Sequence, residues 1–249
     1  MKIGNASHRP GLRVAGLLAA LTAWTWSWTW SWTGALAQAP PPYPDPARLE
    51  QEIRAFEASD RAVPPPAEAL LCVGSSSMRM WHDTIQADLA PLAVIPRGFG
   101  GSTMFDVLHF AGRIVVPYRP RAVLLYEGDN DIDTGVSPEQ VAATFVEFAA
   151  LVHADLPRTR IHVLSIKPSP ARWSKWPQMR AANALLEAAC AGDSTLAYVD
   201  VATPMLGVDG RPRAVLFLGD QLHLSARGYA LWAEVIQARV IRAEVDTAR

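Results

Sequence analysis

Cysteine is scarce in this chain: two residues, Cys72 and Cys190, among 249. That excludes the disulfide-dense scaffolds of small secreted domains. Cys72 lies in an apolar run, where a free thiol behaves as a small buried hydrophobe, so no bridge between the two is expected. The six histidines are scattered, and no His/Cys cluster has metal-ligand spacing. Runs rich in lysine or arginine are missing as well. With 23 basic and 24 acidic residues and a net charge of −1, the chain lacks the broad attraction that nucleic-acid binders rely on. Neither metal, cofactor nor nucleic acid is expected. There is no sign of a second domain, and no feature selects an oligomeric state. What remains is 50% hydrophobic and 19% charged, enough to bury a sizeable core in one domain.

The N-terminus reads as a targeting segment. Lys2, His8, Arg9 and Arg13 make a basic start, Val14 to Ala23 is apolar, and the tract TWSWTWSWTG leads to Ala35-Leu36-Ala37. Small residues at the first and third positions of such a triplet suit a signal peptidase cutting after Ala37, with a cut after Ala39 as the near alternative. The competing reading is an uncleaved anchor. The purely apolar part is shorter than the ~20 residues of a spanning helix, so no stable membrane span is expected after cleavage. No cysteine follows the apolar stretch to carry a lipid. These features predict a signal peptide over 1–37, a proline-rich linker and N-terminal helix over 38–65, and an exported domain over 66–249, periplasmic or secreted.

Strand-like and helix-like segments alternate from there. Residues 69–74, 92–95, 122–128, 161–166 and 196–201 are near-continuous apolar runs, the pattern of parallel strands covered on both faces. Helices are predicted over 46–61, 103–114, 137–154, 177–191 and 225–243. Ser137 is the expected cap and Pro138 the first residue of the third of these. Five strands alternating with helices predict a three-layer α/β/α doubly wound fold with a five-stranded parallel sheet. Ligands bind such sheets outside the carboxyl ends of the strands. The residues with chemistry fall just there.

Four segments stand out. Gly74-Ser75-Ser76-Ser77 follows the first strand and leads into a helix, a place suited either to a nucleophile or to an N-cap. It is not the G-x-S-x-G elbow, because Met78 stands where the second glycine would be. Arg97-Gly98-Phe99-Gly100-Gly101-Ser102 follows the second strand. It lacks the spacing of a phosphate loop, which disfavours a nucleotide binder, and better suits a backbone donor to an oxyanion. Gly128-Asp129-Asn130-Asp131 follows the third strand and offers an amide. The acidic trio Glu127, Asp129 and Asp131 could suggest Ca²⁺, but not at the spacing of an EF-hand. Finally, Asp220-Gln221-Leu222-His223 precedes the last helix. Asp there can accept from His Nδ1–H and leave Nε2 as a base.

In this order the four blocks resemble the SGNH (GDSL) hydrolase superfamily over roughly residues 66–240, in its platelet-activating-factor acetylhydrolase-like and lysophospholipase-like branch. The resemblance implies a flavodoxin-like SGNH fold with Ser76 as nucleophile, His223 as base and Asp220 orienting it. It further implies an oxyanion hole made by the Ser76 and Gly101 N–H groups and the Asn130 side chain. Two departures bear on it. Ser75 replaces the aspartate of G-D-S, so its hydroxyl is expected to hold the turn. Pro96 and Ser102 stand where many relatives have asparagine and aspartate. Ser75 and Ser77 remain lesser candidates for the nucleophile.

The implied activity is hydrolysis of carboxylic esters, short-chain acyl or acetyl, with lysophospholipid a further option. The substrate is then a small-molecule or glycan ester. The absence of a lid-like insertion favours short soluble esters. A carbohydrate O-acetylesterase or O-acyltransferase is the alternative within acyl chemistry, and a non-catalytic exported binding module is the alternative outside it. Met78, Met80, Trp81, Arg172, Trp173 and Trp176 either line an acyl or sugar pocket or pack against helices.

Overall fold

The computed structural model describes residues 43–246. The signal peptide expected over 1–37 and the first part of the linker lie outside the described residues.

Five parallel strands form one sheet in the order β2-β1-β3-β4-β5. They are β1 (Leu70–Gly74), β2 (Val94–Gly98), β3 (Ala122–Tyr126), β4 (Arg160–Leu164) and β5 (Leu196–Val199). Largely apolar in sequence, the strands sort their side chains by the period of two. Leu71 and Val73 of β1 with Val123 and Leu125 of β3 enter one core. Leu70, Cys72, Ala122, Leu124 and Tyr126 enter the other. Helices cover both faces, as a two-sided apolar sheet requires.

The first core is closed by α1 (Glu50–Ala62), α4 (Met104–Ile114), α6 (Pro138–Asp155) and α7 (Trp176–Cys190). They contribute Ile53, Phe110, Phe145, Phe148 and Leu186, among others. On the opposite face lie α3 (His82–Asp88) and α8 (Ala226–Ile236), whose Ile85, Trp232 and Ile236 fill the second core. Two short helices, α2 (Ser76–Arg79) and α5 (Asp129–Asp133), open directly from strand ends. The cap at Ser137 forms as expected, its Oγ accepting from Gln140 N at 3.2 Å.

β3, β4 and β5 each end two residues earlier than expected, and two further differences bear on the packing. β2 begins two residues late and runs through Gly98, with Pro96 inside it. It pairs only with β1, and an edge strand tolerates a residue with no N–H to give. The last helix is not continuous. A π-helical turn over Gln237–Ile241 separates α8 from α9 (Arg242–Asp246), and the neighbours Val240 and Ile241 are both buried there. The wider turn accommodates a residue that a regular α-helix would not.

Candidate active site

β1 is flanked by β2 on one side and β3 on the other, so the chain diverges from its carboxyl end. This is the switch-point crevice of a doubly wound sheet. Gly74 closes β1 at φ +147°, and a Cβ there would sit 2.1 Å from the Tyr126 carbonyl oxygen. Only glycine lets the chain turn this close to β3. Ser75 N–H then donates to Tyr126 O at 3.2 Å, and Met78 N and Arg79 N return to Ser75 O at 2.9 and 3.1 Å. The turn is therefore held by backbone. The expectation that the Ser75 hydroxyl holds it is corrected: Ser75 caps α2 without a side-chain hydrogen bond.

Ser76 opens α2, and its Oγ lies 3.0 Å from His223 Nε2. Ser75 and Ser77 are both buried, and the Ser77 carbonyl accepts from the Tyr229 hydroxyl at 2.9 Å. Across the imidazole, His223 Nδ1 is 2.6 Å from Asp220 Oδ2. The other carboxylate oxygen accepts from Leu222 N and His223 N, each at 3.0 Å. The His223 ring and these two N–H groups hold the Asp220 carboxyl well down, to about 2. An ionised Asp220 can only accept, so the proton belongs on Nδ1 and the lone pair on Nε2 faces the serine. A hydroxyl so placed can lose its proton to the imidazole as it attacks an acyl carbon.

The other side of the crevice is built from more distant parts of the chain. Gly74 is in register with Gly98 of β2 and Tyr126 of β3, which brings the segments after those strands beside Ser76. Asn130 donates through Nδ2 to Ser102 O at 2.8 Å and accepts at Oδ1 from Arg172 Nη1 at 3.0 Å. A carboxamide has two N–H bonds, and the Ser102 carbonyl uses one of them. Gly101 sits at φ +76° with open space on its Cβ side. The N–H groups of Gly101 and Ser76 have no acceptor among the described residues. N–H donors without a protein partner can stabilise charge developing on an oxygen brought near them.

The acidic residues after β3 find their partners within the protein. Asp129 pairs with Lys167 and, at 2.6 Å, with Arg172. Burial opposes its ionisation, but these two cations outweigh that and hold its carboxyl below the ordinary value. Asp131 accepts from Met104 N at 3.0 Å and Gly128 N at 3.1 Å. Among the described residues no group of three or more His, Cys, Asp or Glu is arranged to hold a metal ion. Met78 and Trp81 pack in the second core rather than line a pocket. Arg172 serves Asp129, Asn130 and, at 3.0 Å, Asp133. Met80, which is exposed, and Trp173 and Trp176 remain candidates for a substrate platform, the two indoles stacked at 6.0 Å between ring centroids.

Three contributors were missed, Arg48, Glu52 and Lys167, and Glu127 stands out in sequence only as a member of the acidic trio. Arg48 Nη2 donates to Gly101 O at 3.2 Å, and Glu52 Oε2 accepts from Gly100 N at 3.2 Å. No local motif announces such contacts, because they join residues about fifty positions apart. A groove of about 870 Å³ runs beside β5 and includes Trp176, Asp200 and Arg239. It does not include Ser76 or His223.

The doubly wound sheet and its serine-imidazole-carboxylate chain are those of an α/β acyl hydrolase. The chain belongs to the GDSL-like lipase/acylhydrolase family, whose model matches residues 69–231. Solved structures share the fold. A GDSL-like lipase from Bacteroides thetaiotaomicron is 18% identical with a TM-score of 0.67, covering 77% of this chain and 98% of its own. A lipase/acylhydrolase from Enterococcus faecalis is 18% identical with a TM-score of 0.56, covering 70% and 96%. An acetylxylan esterase from Geobacillus stearothermophilus is 15% identical with a TM-score of 0.57, covering 70% and 94%. None of the curated proteins matches the chain.

Proposed function

We propose that the protein is an exported serine esterase acting on short acyl or acetyl esters, with Ser76 as nucleophile, His223 as general base and Asp220 orienting the base. The observation that carries this reading is the unbroken hydrogen-bond chain from Asp220 through His223 to Ser76, at 2.6 and 3.0 Å. Ser76 Oγ attacks the ester carbonyl carbon as its proton passes to His223 Nε2. The oxygen that gains charge is met by the Ser76 and Gly101 N–H groups and the free N–H of Asn130. His223 then returns the proton to the leaving alkoxide, the ester C–O bond breaks, and the acyl group stays on Ser76. Water repeats the attack with His223 as base, releasing the acid and restoring the serine.

Hydrolysis of p-nitrophenyl acetate, butyrate and octanoate by the mature protein tests this, with Ser76→Ala beside it. Wild type is expected to turn over, fastest on the short chains, and the variant to lose about 10⁴-fold or more. A variant as active as wild type overturns the assignment. Export is tested by fractionating the host cells and sequencing the mature N-terminus, expected at Gln38. A protein that stays in the cytosol with Met1 in place overturns it.

A carbohydrate O-acetylesterase or O-acyltransferase is the second reading. Its support is the stacked Trp173–Trp176 pair, on a segment whose Ala171 N–H donates to Gln221 O at 3.1 Å. That bond ties the pair to the loop of His223. Flat aromatic faces suit sugar rings. Acetylated xylo-oligosaccharides cleaved faster than p-nitrophenyl acetate would favour this reading, and acetyl appearing on an added sugar would favour the transferase.

A further inference from the structure

Glu127 lies one residue past β3 and is fully buried, as is Ser102. The Ser102 Oγ stands 2.5 Å from Glu127 Oε1 and 3.0 Å from the Phe99 carbonyl oxygen. A serine hydroxyl has one hydrogen to give, and a carbonyl oxygen can only accept. Were Glu127 ionised, one hydrogen would face two acceptors and an oxygen pair at 2.5 Å would lack a proton. If Glu127 carries the proton, every contact is satisfied: Glu127 donates to Ser102 Oγ, and Ser102 donates on to Phe99 O. The 2.5 Å separation lies within the O–H···O range. Glu127 Oε2 has no partner among the described residues, which is tolerable for the carbonyl oxygen of an acid and costly for half of a buried charge.

The surroundings agree. Burial first, and then the carboxylates Asp131, Asp106 and Asp129, push the Glu127 carboxyl well above its ordinary value, against the Ser102 hydrogen bond. The cations nearby are already engaged, Lys167 and Arg172 with Asp129 and Arg48 with Asp106. Asp131 is itself pushed up to about 7 by burial, despite hydrogen bonds from the Met104 and Gly128 N–H groups.

We propose that Glu127, as a neutral carboxylic acid, is a positioning residue for the oxyanion donors, acting through Ser102. Ser102 follows Gly101 directly, and its carbonyl accepts from Asn130 Nδ2 at 2.8 Å. One side chain thus fixes both donors. The hydroxyl bond to Phe99 O closes the turn Phe99-Gly100-Gly101-Ser102, and the carbonyl sets the rotation of the Asn130 amide. The inference rests on the esterase reading above for the identity of those donors.

The test uses full-length mature protein and two measurements. Infrared difference spectra between wild type and Glu127→Gln at pH 7 are expected to show the carbonyl stretch of a protonated carboxyl in wild type alone. In p-nitrophenyl acetate hydrolysis, Glu127→Ala is expected to lower kcat by about 10²-fold with KM within about threefold, the loss typical of one oxyanion donor. Glu127→Gln, whose amide can still donate to Ser102, is expected to keep kcat within about fivefold of wild type. Ser102→Ala is expected to fall as far as Glu127→Ala, and the double variant no further, because the pair acts as a unit. If Glu127→Ala does not fold, Glu127→Gln and Ser102→Ala still decide. Absence of the protonated-carboxyl band overturns the proposal, as does a Glu127→Gln rate as low as that of Ser102→Ala. If none of the proteins turns over ester, it is the esterase reading that has failed, and the infrared band still decides the state of Glu127.

Discussion

The two halves of the crevice are made in opposite ways. The base half is local and open: Asp220 and His223 are three residues apart in one loop, with side chains 47% and 24% exposed. The donor half is long-range and closed. Gly101, Ser102, Glu127, Asn130 and Arg172 come from segments after three different strands, with Arg48 and Glu52 reaching in from the N-terminal region. The base half needs only a short peptide in a fixed turn, whereas the donor half needs most of the fold in register. The proposed reactivity at Ser76 would join a part with little structural support to a part with a great deal.

Breaking the base half should cost most. His223→Ala is expected to lower kcat/KM for p-nitrophenyl acetate by about 10⁴–10⁶, with far-UV circular dichroism unchanged. Asp220→Asn should cost less, about 10²–10⁴, since it removes the acceptor that orders the ring but leaves the base. Asp220 is held down to about 2, so it stays ionised at any working pH. The Asp220 carboxyl should therefore contribute no protonation step to the wild-type rate above about pH 4. A protonation step between about pH 4 and 8 that Asp220→Asn abolishes would break the picture. On the donor side, Asn130→Ala should lower kcat by about 10²–10³ with KM little changed. A larger loss than for Asp220→Asn would reverse the ranking of the two halves.

The remaining tests concern stability. Lys167→Met leaves the buried Asp129 with Arg172 as its remaining cation and the Tyr126 hydroxyl as a neutral donor, and urea unfolding at pH 7 should show a loss of about 3 kcal/mol. The sign follows from Asp129, whose folded-state value is depressed. Its contribution is present above the unfolded carboxylate range and is lost as pH falls through the folded value, so the gap between variant and wild type should narrow in acid. The exposed pair Arg54–Glu50 is the opposite case. Arg54→Ala should leave Tm unmoved.

The same contrast explains what could be read from sequence. The strands are legible because burial on both faces leaves unbroken apolar runs, and the helix from Pro138 because Ser137 and Pro138 mark its start. Ser76, Asp220 and His223 lie in short segments with fixed spacing. By contrast, Glu127, Lys167 and Arg172 act across 25 to 43 positions, as the bonds to Ser102, Asp129 and Asn130 show. Their chemistry depends on which strands become neighbours, and spacing along the chain does not carry that. Met78 and Trp81 are ambiguous in sequence for a related reason. An apolar residue beside a nucleophile looks the same in sequence whether it faces substrate or core. Ser75 misleads because a turn can be held by backbone where a hydroxyl is also at hand.

The two thiols lie on opposite sides of the sheet. Cys72 is packed in one core and Cys190 in the other, both buried and unbridged, with burial raising each thiol above its ordinary value. Five hydrogen-bonded strands stand between them as a partition, so the folded molecule has no disulfide to form, reduce or shuffle. Production of the native protein is thereby decoupled from the redox state of its surroundings. It should fold alike in a glutathione-buffered cytosol and in an oxidising export compartment, without help from thiol oxidoreductases.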